Sequence, residues 1–336
     1  MPTPLRQRVA MTIPGPTLNV ADSIALAKQL EATGWDDIWL MDAGGLDAMT
    51  LAPMLLQATE RMRVGIAVVP VFTRTPAVLA STIAVISQAF PERFIPGLGS
   101  SSHAIINNWH GLEMEKPVTR IKETMTLLRT MLAGEKTNFQ GDTLRSRGYQ
   151  QFPCPDQPIY LAGLRPKMVE TAAEIGDGVI LNLFPQSALP KIKEHIAIGA
   201  KRAGKDPDTV EVISRHMIAV GDDKDAGRDA FRRAFGPYYA TPVYNKFLAW
   251  CGYPDEANEI AEGFKARDRE RTAAALTDEL VDSIAIIGTA EECREQVKAY
   301  AAGGIHTHVM APMINSPQII EDTVKAFSKT EFDLNA

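Results

Sequence analysis

The stretch VGIAVVPVFTRTPAVLASTIAVISQAFPERFIPGLGSSSHAIINNWHG, residues 64–111, decides how this chain is read. Val64, Ile66, Val68 and Val69 form a β-branched run that stops at Pro70. Thr75 and Pro76 then open a helix with Leu79, Ile83, Ile86 and Phe90 on one face. A second short strand, residues 94–97, runs into a loop rich in glycine and serine. The pattern is strand, helix, strand, with small and polar residues where each strand ends. Parallel α/β folds place their chemistry just past those carboxyl ends.

The same alternation extends in both directions. Residues 9–13 read as a first strand, ended by Pro14, Gly15 and Pro16. Asn19 caps a helix faced by Val20, Ile24, Ala27 and Leu30, and Gly34 follows its end. Residues 38–41 and 64–69 are the second and third strands, with a helix capped by Thr50 between them. Pro117 opens a helix carrying Ile121, Met125, Leu128 and Leu132, and Gly134 closes it. Residues 138–145 resemble a small hairpin outside the repeat. Residues 158–162, 178–181, 210–220 and 305–310 supply strands five to eight, and Ser316 and Pro317 start a final helix. Eight strand–helix units predict an α/β (β/α)8 TIM barrel. The chain is expected to be one such domain, residues 1–336, with insertions at about 99–116, 134–157 and 222–282. The last insertion is helical in pattern, and the tail from Ser328 is expected to fray.

Of 336 residues, 45% are hydrophobic and 23% charged, which predicts a packed core. A net charge of −6 argues against a nucleic-acid partner, whose binders carry a basic footprint. Cys154, Cys251 and Cys293 are sparse and far apart, fitting a reducing compartment better than a disulfide scaffold. The first residues lack the apolar core of a signal peptide and no run is long enough to span a membrane, so a cytoplasmic protein is expected.

Several stretches carry candidate chemistry. Gly97, Gly99, Ser100 and Ser101 end the fourth strand, and glycine there lets backbone approach a flat or anionic ligand. Ser102 stands where a dinucleotide fingerprint needs its third glycine, so that motif is absent. Beyond it, Trp109 can wall a planar ligand, and His103 or His110 can act as acid or base near neutral pH. The plainer reading of either histidine is a surface or hydrogen-bonded structural role. Gly163, Leu164, Arg165, Pro166, Lys167 and Met168 open a helix, where free amides and the helix dipole favour an anion. Asp42, just past the second strand, either reacts or caps the next helix. Arg74, past the third, faces a phosphate, a carboxylate or a neighbouring acid. His306 and His308 share one face of a strand and form the rival constellation, a metal-dependent barrel hydrolase, although no Cys or Asp ligand set accompanies them. Neither GxSxG nor a Walker-type loop occurs.

Segments 34–42, 59–80, 92–102, 108–117, 158–182 and 286–293 resemble, in order and spacing, the luciferase-like monooxygenase superfamily, and within it the branch of oxidoreductases that use the deazaflavin coenzyme F420. The resemblance implies an insertion-bearing barrel assembled as dimers or larger, with a deazaflavin or flavin over the carboxyl ends of the strands. It implies a non-proline cis peptide at Ala67-Val68, forming a bulge behind the ring. It places the cofactor phosphate on the amides of residues 163–168 and the ring and ribityl chain against residues 99–110. One departure stands out: many members of that superfamily carry a histidine or a longer polar set directly after the Asp42 position, where this chain has Ala43, Gly44 and Gly45. The expectation is hydride transfer between coenzyme F420 and a small organic substrate, with Asp42, His103 and His110 as catalytic candidates. The alternative is an FMN-dependent monooxygenase, since both cofactors present a phosphate on a ribityl chain.

Overall fold

The structure, a computed structural model, describes residues 5–13, 18–314 and 316–336. Eight parallel strands close into a ring: β1 (Arg8–Thr12), β2 (Asp37–Leu40), β3 (Arg63–Ile66, resuming at Val69–Pro70), β4 (Phe94–Ile95, resuming at Gly97–Gly99), β5 (Tyr160–Ala162), β6 (Gly178–Asn182), β7 (Glu211–Val220) and β8 (Thr307–Pro312). Each strand pairs with the next, and β8 pairs back onto β1 with Val9 opposite His308. Both halves of β3 meet both halves of β4, Val64 opposite Phe94 and Val69 opposite Leu98, so the ring has no free edge there.

Helices α1 (Val20–Ala32), α2 (Ala48–Ala58), α3 (Pro76–Ala89), α4 (Pro117–Leu132), α5 (Pro166–Ile175) and α6 (Leu189–Arg202) follow the first six strands. Their starts are written in the sequence. The Asn19 side chain accepts the Asp22 amide at 2.9 Å, and Thr75 caps α3 just ahead of Pro76. The inner faces are apolar: Leu79 and Ile83 of α3 are fully buried, about 1.5–3 kcal/mol each.

Side chains alternate along the strands, so every second residue enters the lumen. The lumen centre holds Ala10, Trp39, Ile95, Tyr160, Ile180, Ile213 and Val309. The same alternation puts Asp37, Arg63, Glu211 and Thr307 one layer below, at the amino-terminal ends. There Arg63 bridges Asp37 (2.6 Å) and Glu211 (3.0 Å), while Thr307 and Tyr160 donate to Glu211. One layer above the centre, at the carboxyl-terminal mouth, alternation places Thr12, Ala67, Gly99, Ala162, Asn182 and Arg215.

The long insertion is five helices: α7 (Lys224–Tyr239), α8 (Pro242–Trp250), α9 (Pro254–Lys265), α10 (Arg269–Ala274) and α11 (Asp278–Ile284). Phe231, Tyr239, Leu248, Ile260 and Leu280 form their own apolar cluster, which packs on Met217 and Ala219 at the upper end of β7. The insertion is thereby seated over the mouth. Helices α12 (Ala290–Ala302) and α13 (Pro317–Ala326) complete the outer layer.

Several expectations are corrected. Asp47, not Thr50, caps α2: its carboxylate accepts both the Thr50 amide (2.8 Å) and the Thr50 hydroxyl (2.6 Å). The third and fourth strands are each interrupted, and the fourth reaches Gly99. The hairpin pairs Asn138–Gln140 with Arg145–Arg147, two residues longer than read. Strand β8 starts at Thr307, so His306 precedes it. A further short strand, Ile286–Gly288, outside the eight expected, pairs with Ile218–Val220 of β7. The tail does not fray: Phe332 is buried against Phe327, Lys329 N–H donates to the Thr33 carbonyl, and Asn335 exchanges hydrogen bonds with the Gln7 backbone. Pro14, Gly15 and Pro16, read as ending the first strand, lie outside the described residues.

Candidate active site

The mouth is floored by small residues on the β3–β5 side. Ala67 and Val68 occupy the interruption of β3, and the peptide bond between them is cis, at the position the resemblance implied. With Ala162 they rest on the lumen cluster. A Cβ at Gly99 would lie 2.6 Å from Val68 Cγ2 and 3.4 Å from Ala162 Cβ, so only glycine lets β4 pass the bulge. Ser100 and the left-handed Ser101 (φ 63°) continue from this floor to the rim.

Beside the floor, the start of α5 forms an anion cradle. Gly163 is pressed against the helix: a Cβ there would stand 2.7 Å from Val169 Cα and 2.9 Å from Val169 N. The Gly163 amide is spent on the Ile180 carbonyl at 3.1 Å. Pro166 has no amide hydrogen, and Met168 N–H closes back on the Arg165 carbonyl at 2.9 Å. The amides of Leu164, Arg165 and Lys167 find no acceptor among the described residues, and Arg165 caps the helix without a side-chain hydrogen bond. Three unpaired N–H groups at a helix start, with the exposed side chains of Arg165 and Lys167 beside them, suit the anionic oxygens of a phosphate group.

Residues 99–111 and 42–47 meet over the mouth. The first carries a single π-helical turn, Ala104–Trp109, pinned by the fully buried Ile106. Trp109 is 62% exposed and its ring edge lies at Gly44, where a Cβ would be 3.3 Å from Trp109 Cζ3. Gly44 thus makes room for the indole. His103 and His110 flank the turn and are exposed, with His103 Nδ1 3.3 Å from Asn107 Oδ1.

Asp42 and Arg74, read as independent candidates, form one ion-paired unit. Arg74 donates to Asp42 through one nitrogen and to Asp47 through the other. Asp42 also accepts the Ala48 amide at 3.4 Å. Of the partners the sequence left open for Arg74, the neighbouring acids are the ones it has. The pair anchors the loop after β2.

The rival histidines do not converge. His306 Nδ1 accepts the Val212 amide at 3.0 Å. His308 points away from the lumen, 3.3 Å from His216 and 3.0 Å from Gln7, while His216 lies against Tyr300 of α12. Burial pushes the His216 imidazole down to about 3 and His308 well below its ordinary value, so both are neutral packing groups. Among the described residues, no group of three or more His, Cys, Asp or Glu is placed to hold a metal.

The sequence reading missed the polar half of the mouth. Arg215 of β7 interrupts the apolar run EVISRHMIAV at the same parity as the lumen residue Ile213, a signal that was present. Asn182 lies opposite it in the β6–β7 register, and Thr12 completes the group.

The luciferase-like monooxygenase model matches residues 3–307 of this chain. The chain belongs to the luciferase-like monooxygenase family. Within it, this member is similar to the 5,10-methylenetetrahydromethanopterin reductase of Methanolobus tindarius, 30% identical over 310 residues that cover 88% of this chain and 90% of the relative. It is also similar to the F420-dependent glucose-6-phosphate dehydrogenase of Rhodococcus erythropolis, 26% identical over 306 residues, 84% and 85% of the two chains. Among solved structures, the coenzyme F420 dependent tetrahydromethanopterin reductase of Methanopyrus kandleri superposes with a TM-score of 0.81 at 20% identity, covering 96% of this chain and 98% of that one. This member of the family is accordingly an oxidoreductase. Among the described residues, no helix is long and apolar enough to cross a membrane.

Proposed function

We propose that this oxidoreductase transfers a hydride between coenzyme F420 and a small organic substrate. Relatives that span most of the chain are named for coenzyme F420 or for methylenetetrahydromethanopterin reduction. The observation that carries the reading is the pairing of a small-residue floor with an anion cradle on the same side of one mouth. The residues present fit such a cofactor: Gly163 and Gly99 are close approaches that a Cβ would destroy, and the unpaired amides of Leu164, Arg165 and Lys167 suit its phosphate.

When bound, the deazaflavin would donate or accept the hydride, and carbon in place of the reactive flavin nitrogen favours that step over oxygen chemistry. The protein's work is position and electrostatics. The residue 163–168 segment would hold the phosphate. Ala67, Val68, Gly99 and Ala162 would support the ring system. Trp109, held open by Gly44, walls the site and limits water. His103 or His110 supplies or removes the proton at the substrate oxygen. The Asp42–Arg74 pair, with both partners engaged, fixes the loop rather than exchanging protons.

Titration with coenzyme F420 and with FMN, followed by fluorescence and absorption, tests the proposal. Tight binding of the deazaflavin without oxygen uptake is expected. Tight FMN binding with oxygen consumption by the reduced protein would replace it with the monooxygenase reading, and binding of neither would end both.

A further inference from the structure

Arg215 is a cation at the barrel mouth without an anion. Its Nε donates to Thr12 Oγ1 at 3.2 Å and its Nη1 approaches the Met217 sulfur at 3.7 Å. A guanidinium has five N–H donors, so most of its capacity is unspent. No carboxylate pairs with it among the described residues, and the remaining residues, 1–4, 14–17 and 315, include no Asp or Glu. Every other lumen arginine has an acid: Arg8 and Arg63 both meet Asp37. Burial lowers the Arg215 guanidinium only to about 10, so it stays charged at neutral pH.

The surroundings are those of a recognition site rather than a packing accident. Asn182, its register neighbour on β6, keeps a buried Oδ1 with no donor. Tyr238 (α7) and Tyr244 (α8) of the insertion pack edge to face on each other and lie within electrostatic range of Arg215, and Tyr244 also lies at the Asn182 side chain. A half-buried charge without an acid and a buried amide oxygen without a donor, on register-paired residues, are costly unless a ligand completes them. Position supports the same conclusion. In a ring of eight, β7 is four strands from β3, so Arg215 faces the Ala67-Val68 bulge across the lumen. A ring system held against that bulge would leave Arg215 on the opposite side of the mouth, where a substrate would lie.

We propose that Arg215 and Asn182 form the substrate subsite: the guanidinium binds a carboxylate of the substrate, and Asn182 Oδ1 accepts from a hydroxyl or N–H on the adjacent carbon. The substrate class is a small 2-hydroxy or 2-amino carboxylate, or a compound carrying that group. A carboxylate matches the planar fork of arginine. Thr12 is a positioning residue that aims the fork. This subsite rests on the hydride-transfer reading for its role, but not for its existence.

The test uses phenylacetate and mandelate, which differ by one hydroxyl, as probes in calorimetric titrations of cofactor-free and F420-loaded protein. Mandelate is expected to bind several-fold tighter than phenylacetate. Arg215→Met is expected to weaken both probes at least tenfold and leave F420 affinity within twofold. Asn182→Leu is expected to remove only the mandelate advantage. Arg215→Lys, which retains the charge, should show an intermediate loss and covers the case in which the methionine variant does not fold. Unchanged probe binding in the Arg215 variants overturns the subsite. So does a tenfold loss of F420 affinity with probe binding intact, which would make Arg215 a cofactor residue. Equal binding of the two probes to the wild type overturns the Asn182 assignment. If F420 fails to bind the wild type, hydride transfer falls, while the cofactor-free titrations still decide the subsite.

Discussion

Glu211→Gln should cost about 3 kcal/mol at neutral pH and almost nothing in acid. The side chain is buried at the lower end of the lumen, with Arg63 Nη1 at 3.3 Å and Nη2 at 3.0 Å and with Thr307 and Tyr160 donating to it. Burial alone would raise its pKa, but Arg63 and the two hydroxyls outweigh burial and hold the carboxyl at about 2 against an ordinary 4.5. At about 1.4 kcal/mol for each tenfold, that depression is worth about 3 kcal/mol. The sign follows from a lowered value: the contribution is complete above pH 4.5 and is lost as pH falls through about 2. Glutamine keeps the shape and an acceptor but not the charge, and Arg63 keeps Asp37. The assay is denaturant unfolding of both proteins at pH 7, 5, 4 and 3. The stability gap should narrow from pH 4.5 downward as the wild type approaches protonation, and other acid-sensitive groups cancel in the difference. A gap that stays constant to pH 3, or one below about 0.5 kcal/mol at pH 7, would refute the account.

The same logic at other positions gives further expectations. Gly163→Ala forces a Cβ onto the Val169 backbone and displaces the α5 cradle, so cofactor affinity should drop about 10- to 100-fold, the range of one or two charge-assisted hydrogen bonds; unchanged affinity in fluorescence titration would dissociate the cradle from the phosphate. His103→Ala and His110→Ala, assayed singly with cofactor bound, should include one variant with turnover reduced about 100-fold; full turnover in both would remove histidine from the proton step. His216 is held neutral down to about 3, so the wild type must lose stability as pH falls from 6.5 toward 3, because the unfolded chain takes up that proton first. His216→Leu should remove that part of the acid sensitivity, and parallel pH–stability curves for the two proteins would count against it.

Much of this architecture was legible from local sequence because local rules produce it. Period-two and period-3.6 patterns located all eight barrel strands and their helices, and Asn19, Thr75 and Pro117 marked helix starts that the structure contains. The glycines of the floor and the cradle were also visible, since a glycine beside a strand end signals close backbone approach before any contact is known. Where a local signal has competitors, sequence does not separate them: Asp47 and Thr50 are both residue types that cap a helix, and only the observed carboxylate geometry identifies Asp47.

The remainder was settled by the tertiary structure, because it depends on which strands become neighbours. Asp42 and Arg74 are 32 residues apart and look like two reactive groups until the barrel brings them together as an ion pair. Glu211 draws its low pKa from Arg63, which is 148 residues away. Arg215 looks like a charge that needs an acid, and only closure of the ring shows a mouth in which none is supplied. Sequence set the periodicities and the backbone permissions. Long-range packing fixed which charges are answered within the chain and which are left for a ligand.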